Sequence, residues 1–495
     1  MTTQLVVSPV VSPVVISDDA IVQRMQQYHY LISNSAFQFK QHQYDGVKWC
    51  ITNELRPNPP GNVHGGFIAD EMGLGKTIMI IGTMFVNFLQ RTLIVVPPSL
   101  IQQWFMEIFT VSGHKALVFY GHDKKHITQA KVNAAPIVLT TYNTLLDKDC
   151  LLGNIVWSRI VFDEAHHLRN ARTMRFKACK NIKASIRWLV TGTPIQNKPK
   201  DFYNMCSACG IDPRFYNDPV NLMTIRKYFV LRRTKLQVGI NLPPVSSVKQ
   251  VVNWKTRAEM QFAEDIHSML PGITRVTDTK RKRLSIEHTG TGTGILPAIL
   301  MSRQVCILPA LMINRLKLLI TDDKSEQLDI INYTSKLDAV IQLMTSRKDN
   351  GNGKIVFCHF QREIDIISSR LEKSGFKKVI RYDGRNSGGD NLASLSEPAD
   401  ALVIQIQTGC EGLNLQQNFS EIYFVSPHWN PSVEDQAIAR CHRIGQVKPV
   451  EVFKFEMNGF STVENCEAEP VITLEKYINI VQDNKRDISK TLIGI

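Results

Sequence analysis

Two series of short, continuous apolar runs constrain what this chain can fold into more than any other feature. The first is LIVVP (93–97), PIVLT (136–140), RIVFDEAHH (159–167) and WLVTGTP (188–194). The second is KIVFCHF (354–360), KVIRYDG (378–384), ALVIQIQTG (401–409), EIYFVSPHW (421–429) and VEVFKFEM (450–457). A run that is apolar throughout, instead of at alternate positions, suits a strand buried on both faces, as in parallel sheets covered by helices. Longer amphipathic stretches separate the runs and suit crossover helices. The runs close on polar, small or charged residues, where an open parallel sheet holds its ligands, beyond the carboxyl ends of its strands. The expected fold is α/β, with two similar lobes at 31–237 and 331–460.

The remaining segments read differently. Residues 1–30 are expected to be a flexible arm, because the tandem Ser8-Pro9-Val10-Val11 and Ser12-Pro13-Val14-Val15 forbids helix and discourages a central strand; an added edge strand or a partner-docking peptide is the alternative. Residues 238–330 lose the strand rhythm and read as a helical insertion, with the basic run Lys280-Arg281-Lys282-Arg283 and the tract TGTGTG at 289–294. That run suits nucleic acid, a localisation signal or a solvated loop. Residues 461–495 resume helical patterning as a C-terminal tail.

Composition narrows the class. Lys and Arg outnumber Asp and Glu by 58 to 45, a formal charge of +13, which favours a polyanionic partner. Ten scattered cysteines do not form a disulfide framework and point to a reducing compartment. Cys206 and Cys209 form a C-x-x-C without a second ligand pair, so two buried thiols are expected and no structural zinc. No run reaches the roughly 18 apolar residues of a membrane span, and the N-terminus lacks a basic stretch before its apolar run; no membrane partner and no secretion are expected.

The chemistry concentrates in GGFIADEMGLGKTIMI (65–80). A strand-like run meets a glycine-bearing turn and then a helical stretch, which is the layout of a phosphate-binding loop. The loop comprises Asp70, Glu71, Met72, Gly73, Leu74, Gly75, Lys76 and Thr77. Gly73 and Gly75 let backbone N–H groups approach phosphates, Lys76 sets a charge on the β and γ phosphates, and the Thr77 hydroxyl faces Mg²⁺. Asp70 stands where the strict motif has its first glycine. The apolar strand RIVF then closes on Asp163 and Glu164. Such a pair suits metal chemistry, with Asp163 holding Mg²⁺ and Glu164 orienting and deprotonating the attacking water. The segment QAIARCHRIGQ (436–446) offers Arg440 and Arg443, three apart and so on one face of a helix, as a source of positive charge opposite the γ-phosphate.

Taken in order, FKQHQYDGVKW (39–49), GGFIADEMGLGKT (65–77), LIVVPPSLIQQW (93–104), VLTTYNTL (138–145), IVFDEAHHLRN (160–170), LVTGTPIQN (189–197), FVLRRTK (229–235), KIVFCHF (354–360), TGCEGLNL (408–415), HWNP (428–431) and QAIARCHRIGQ resemble the SWI/SNF-type branch of the superfamily 2 helicase-like ATPases. The resemblance implies two RecA-like lobes, ATP and Mg²⁺ as cofactors, and a DNA-dependent ATPase that translocates on double-stranded DNA. A strand-separating helicase, or a nucleotide-gated DNA-binding scaffold, are the alternatives. It further implies that Gln43 reads the adenine edge and that Thr191 to Pro194 couple nucleotide to DNA. Pro97, Ser99, Thr140, Thr141, Gly412, Asn414 and Trp429 fall where the family grips the phosphodiester backbone or lines the cleft. Cys410, Ser426 and His428 depart from the family pattern, and residues 383–400 are too short and glycine-rich to align with it. Transcription, repair or chromatin proteins are implied as partners, and the nucleus or a viral replication compartment as the location.

Overall fold

The computed structural model describes residues 18–57, 59–147, 149–192, 199–268, 270, 295–312, 332–383, 385, 398–409, 413–460 and 472–493. The chain divides between Ile240 and Asn241 into two compact units. No helix among the described residues is long and apolar enough to cross a membrane.

The first unit holds seven parallel strands: β1 (His64–Ile68), β2 (Thr92–Val96), β3 (Leu117–Phe119), β4 (Ile137–Thr141), β5 (Trp157–Asp163), β6 (Ala184–Val190) and β7 (Val230–Leu231). Their order is β3-β4-β2-β5-β6-β1-β7. The four apolar runs of the first series supply β2, β4, β5 and β6. Side chains alternate across the sheet: Leu93 and Val95 enter the core with Phe67 and Trp157, while Ile94 and Val96 enter the opposite core with Trp104 and Trp188. That second core is covered by α1 (Asp18–Ser33), α2 (Gln41–Leu55), α3 (Lys76–Val86) and α4 (Ile101–Ser112). A buried polar hub ties α2 to the sheet: Glu54 accepts from Arg159 Nε at 2.7 Å and Nη2 at 2.6 Å, from Asn87 Nδ2 at 2.7 Å and from Trp188 Nε1 at 2.8 Å.

The second unit holds six parallel strands: β8 (Val245–Val252), β9 (Gly353–Cys358), β10 (Val379–Tyr382), β11 (Ala401–Gln405), β12 (Phe419–Phe424) and β13 (Val450–Met457), ordered β10-β11-β9-β12-β13-β8. The same two-faced alternation recurs, with Ile355 and Phe357 on one side and Val356 and Cys358 on the other. The helix Leu474–Ile493 is sewn to this unit by Glu475, which pairs with Lys336; neither side chain has exposed surface, and Glu475 also accepts from the Met457 amide at 2.9 Å.

Two boundaries differ from the sequence reading. The flexible arm expected through residue 30 is helical from Asp18, and Met25, Tyr28 and Ile32 lie on one face of α1, buried against the first unit; residues 1–17 lie outside the described residues. Within the expected helical insertion, Val245–Val252 is a strand, paired with β13 along its whole length. Its residues read as polar because it is an edge strand, mostly exposed. The helices Arg257–Ser268 and Ile295–Ile307 follow, and the basic run 280–283 and the tract 289–294 lie outside the described residues.

After β9 the helix Gln361–Lys373 opens with Glu363 turned back on its own N-terminus, accepting from the His359 and Phe360 amides at 2.9 and 3.1 Å. Burial pushes this carboxyl from 4.5 up to about 7. The folded chain therefore holds a proton that the unfolded chain releases between these values. The contribution to stability is complete below about pH 4.5 and is lost as pH rises through 7. Glu363→Gln, which keeps an acceptor without the charge, should show a flatter dependence of the urea midpoint on pH between 4.5 and 7 than the parent chain.

Candidate nucleotide-binding site

The phosphate loop lies at the carboxyl end of β1. Gly73 and Gly75 take φ of 91° and 79°, backbone that side chains rarely adopt. Helix α3 begins at Lys76, so its N-terminal amides and positive dipole end lie at the loop. Lys76 Nζ donates to the Asp70 carbonyl at 2.9 Å, and Thr77 is half-buried in the first turn. Gln43, on α2, is buried, and its amide donates to the Leu74 carbonyl at 3.3 Å. A Cβ on Gly75 would lie 2.2 Å from Gln43 Nε2, so a side chain there would displace the Gln43 amide as well as strain the φ of 79°.

Two more strand ends converge here. From β6, the Thr191 amide donates to the Ile68 carbonyl at 3.1 Å, and a Cβ on Gly192 would lie 2.9 Å from Met72 Cγ and 3.5 Å from Lys76 Nζ; Thr193 and Pro194 lie outside the described residues. From β5 comes Asp163, almost fully buried. Its Oδ2 accepts from Trp104 Nε1 at 2.7 Å and its Oδ1 from the Glu164 amide at 2.8 Å, while Tyr142 Oη donates to its carbonyl at 2.6 Å. Burial, then the charge of Glu164, pushes the Asp163 carboxyl up to about 7, opposed by those hydrogen bonds and by the charge of Lys76. Each carboxylate oxygen keeps a lone pair for a cation.

Glu164 follows at φ 48° and ψ 49°, a left-handed step that costs a non-glycine residue roughly 1–2 kcal/mol. It ends the strand and starts the turn Ala165–Leu168. Its carbonyl accepts from the His167 amide at 3.1 Å, and its Oε2 lies 3.1 Å from His166 Nδ1. Behind the pair, His167 is neutral: burial pushes its imidazole down to about 4, and its ring packs on Tyr142 at a centroid distance of 5.1 Å.

The sequence reading passed over the partners that hold these groups. Asp70, with no exposed surface, is paired with Arg233 at 2.5 Å, and Glu71 with Lys235 at 3.0 Å. Both cations belong to LRRTK, and the signal in the sequence is the charge of Asp70 itself, since a buried carboxylate needs a cation. Trp104 and Tyr142, which hold Asp163, stand in LIVVPPSLIQQW and VLTTYNTL, where nothing local marks them.

The expected nucleic-acid residues separate. Ser99, ahead of α4, and Asn414 are exposed, and Pro97 is buried. Thr140 and Thr141 are buried with their hydroxyls turned inward, Thr140 donating to the Phe119 carbonyl at 2.9 Å and Thr141 lying 2.9 Å from the Thr144 hydroxyl. They brace the end of β4 and offer no hydroxyl to solvent. Trp429 packs on Tyr477 at 6.3 Å, beside Leu474 and Ile478, and its carbonyl accepts from Lys485 at 2.9 Å. Gly412 and Cys410 lie outside the described residues. Arg440 and Arg443 do not share a helix face: the helix Pro431–Ile438 ends before them. Bonds of the i−3 type, from Arg440 to Ala437 and Cys441 to Ile438, tighten the chain into a turn, and a second turn from Arg443 to Gln446 holds Gly445 at φ 97°. In that turn Arg443 donates to Asn414 Oδ1, and the Arg440 carbonyl accepts from the Leu415 amide at 3.1 Å. Cys206 and Cys209 are buried on the helix Pro199–Cys209, the latter donating to the Arg187 carbonyl at 3.8 Å.

Residues 42–311 match the SNF2-related domain and residues 335–445 the helicase conserved C-terminal domain. The human Chromodomain-helicase-DNA-binding protein 1 is 28% identical over 481 residues, covering 88% of this chain and 26% of that protein, so the chain spans about a quarter of this relative. A probable global transactivator of Orgyia pseudotsugata multicapsid polyhedrosis virus is 27% identical over 476 residues, covering 90% of this chain and 89% of that one. A solved Sulfolobus solfataricus SWI2/SNF2 ATPase core in complex with dsDNA aligns over 93% of this chain and 94% of its own, at 24% identity and a TM-score of 0.40.

Gly75→Ala should displace Gln43 or distort the loop. A fluorescent ATP analogue should bind about tenfold or more weakly, with the far-ultraviolet dichroism unchanged.

Proposed function

Because the chain belongs to the SNF2-related family of helicase-like ATPases, we propose that it is a motor that couples ATP hydrolysis to translocation on double-stranded DNA. The observation that carries the reading is that β5, β6 and β1 lie side by side, with Asp163 and Ile68 both in register with Val190, so that Asp163 and the loop bearing Lys76 stand at the same carboxyl edge of one sheet. A loop that cradles phosphates and an acidic strand end beside it are the parts phosphoryl transfer needs.

In this reading Lys76, the amides of Gly73 and Gly75 and the start of α3 bind the phosphates, and Gln43 reads the adenine edge. Thr77 and Asp163 would hold Mg²⁺, since hydroxyl and carboxylate oxygens are the hard donors this ion takes. The ion would neutralise phosphate charge. Glu164 orients the attacking water and takes its proton, and the second unit contributes positive charge through Arg440 and Arg443, with Arg443 as the finger. Double-stranded DNA as the track is supported by the +13 charge and by the DNA binding that the name of the human relative carries. Contacts to phosphate carry no sequence information, so binding should weaken steeply with salt. Likeness to a viral transactivator over nine-tenths of both chains supports work in the nucleus or a viral replication compartment, beside transcription, repair or chromatin proteins.

Lys76→Ala and Glu164→Gln should each abolish DNA-stimulated phosphate release; full activity in either variant sinks the reading. Arg443→Ala should bind nucleotide as the parent does and turn over slower by on the order of 10³. Triplex displacement without unwinding of a forked duplex is the expected motor phenotype. Unwinding alone would favour a strand-separating helicase, and DNA binding without phosphate release a nucleotide-gated scaffold.

A further inference from the structure

The segment that carries the chain out of the first unit runs along the phosphate loop before it leaves. β7 pairs with β1 through Leu231, and the pairing continues past both strands: the Ala69 amide donates to the Leu231 carbonyl at 2.8 Å and the Glu71 amide to the Arg233 carbonyl at 2.9 Å. Two acid–base pairs lie on this ladder. Arg233 reaches Asp70 through Nη2 at 2.5 Å, through Nε at 3.2 Å to both oxygens, and through its backbone N–H at 2.8 Å. Lys235 meets Glu71 through Nζ at 3.0 Å and its backbone N–H at 2.8 Å.

The Arg233 guanidinium goes further than the loop. Its Nη1 donates to the His42 carbonyl on α2 at 2.7 Å, and its Nη2 lies 3.4 Å from Met79 Sδ on α3. A Cβ on Gly46 would come within 3.0 Å of that nitrogen, so α2 leaves a gap that the guanidinium occupies. One side chain thus touches the loop and the helices on either side of it, from a strand whose chain crosses into the second unit at Ile240.

We infer that Arg233 and Lys235 are positioning residues for the phosphate loop, which takes its binding conformation from the outgoing strand. The inference rests on the ATPase reading for its consequence. Without their cations Asp70 and Glu71 would move away from the outgoing strand, and the amides that follow them, through Gly75, would lose the arrangement that receives phosphate. Lys76 would be displaced with them, because its Nζ bonds to the carbonyl of Asp70 itself.

The test uses the full chain with Lys235→Glu, which sets two carboxylates together, and Glu71→Lys/Lys235→Glu, which restores the pair reversed. Arg233→Lys keeps the charge and loses the fork, and it serves if the first variant fails to fold. Lys235→Glu should raise the Kd of a fluorescent ATP analogue and the KM for ATP on the order of tenfold, with kcat changed less than about threefold. The reversed pair should return both to within about threefold of the parent. A folded Lys235→Glu with unchanged Kd, or a loss that the reversed pair leaves in place, overturns the inference. Amide hydrogen exchange over residues 70–77 without nucleotide gives a readout independent of catalysis: exchange should quicken in Lys235→Glu and Arg233→Lys and slow again in the reversed pair, and equal exchange in all four proteins overturns it. A parent chain that neither binds nor hydrolyses ATP would sink the ATPase reading, and the exchange result would still decide the role of the two residues.

Discussion

A carboxylate sealed from water stays charged only where a cation reaches it, and Asp70 is sealed on every side, with Arg233 against it. A strict phosphate loop has glycine there and needs no such partner. This chain has bound its loop to a neighbouring strand instead, and the geometry nearby follows. The strand runs close enough to deliver the guanidinium, Gly46 leaves α2 bare where it passes, and Lys76 finds the carbonyl of the same aspartate within reach. Gln43 and Gly75 then meet around a loop whose course is already decided.

Matched buried charges recur where helices cover a parallel sheet. Glu54 is satisfied by Arg159, Asn87 and Trp188 together, joining α2, β5 and β6. Glu421 accepts from Arg347 at 2.9 Å and from Tyr423 at 2.6 Å. Such hubs add little net stability against an apolar alternative, and removing one partner costs far more, about 3–5 kcal/mol, because the other is left charged in a dry place. Their effect is to make one arrangement of helices on the sheet far better than its neighbours.

Much of this was legible in the sequence. Runs such as LIVVP and KIVFCHF are apolar at every position because both faces of those strands are covered, and that pattern gave away both sheets. The loop was legible because glycines and a lysine before a helix have few other uses. What failed to show was set by neighbours distant in sequence. β8 reads as polar since only one of its edges is paired, and α1 was hidden by the prolines ahead of it, although Met25, Tyr28 and Ile32 carry helical spacing. The helix before Arg440 ends in the tightened turn of Ala437 to Cys441, and the inward hydroxyls of Thr140 and Thr141 depend on Phe119 and Thr144. A local pattern cannot report which way a threonine turns.

The pair between Lys336 and Glu475 carries a consequence for how the second unit can be cut. A fragment ending at Phe460 would keep every strand of the sheet and still deprive the Lys336 ammonium, fully buried in the intact unit, of its partner carboxylate. Such a fragment should therefore be less stable than one that keeps the helix from Leu474. In the uncut chain the same helix is also held by Leu474, Tyr477 and Ile478, which pack with Leu270, Ala298 and Trp429.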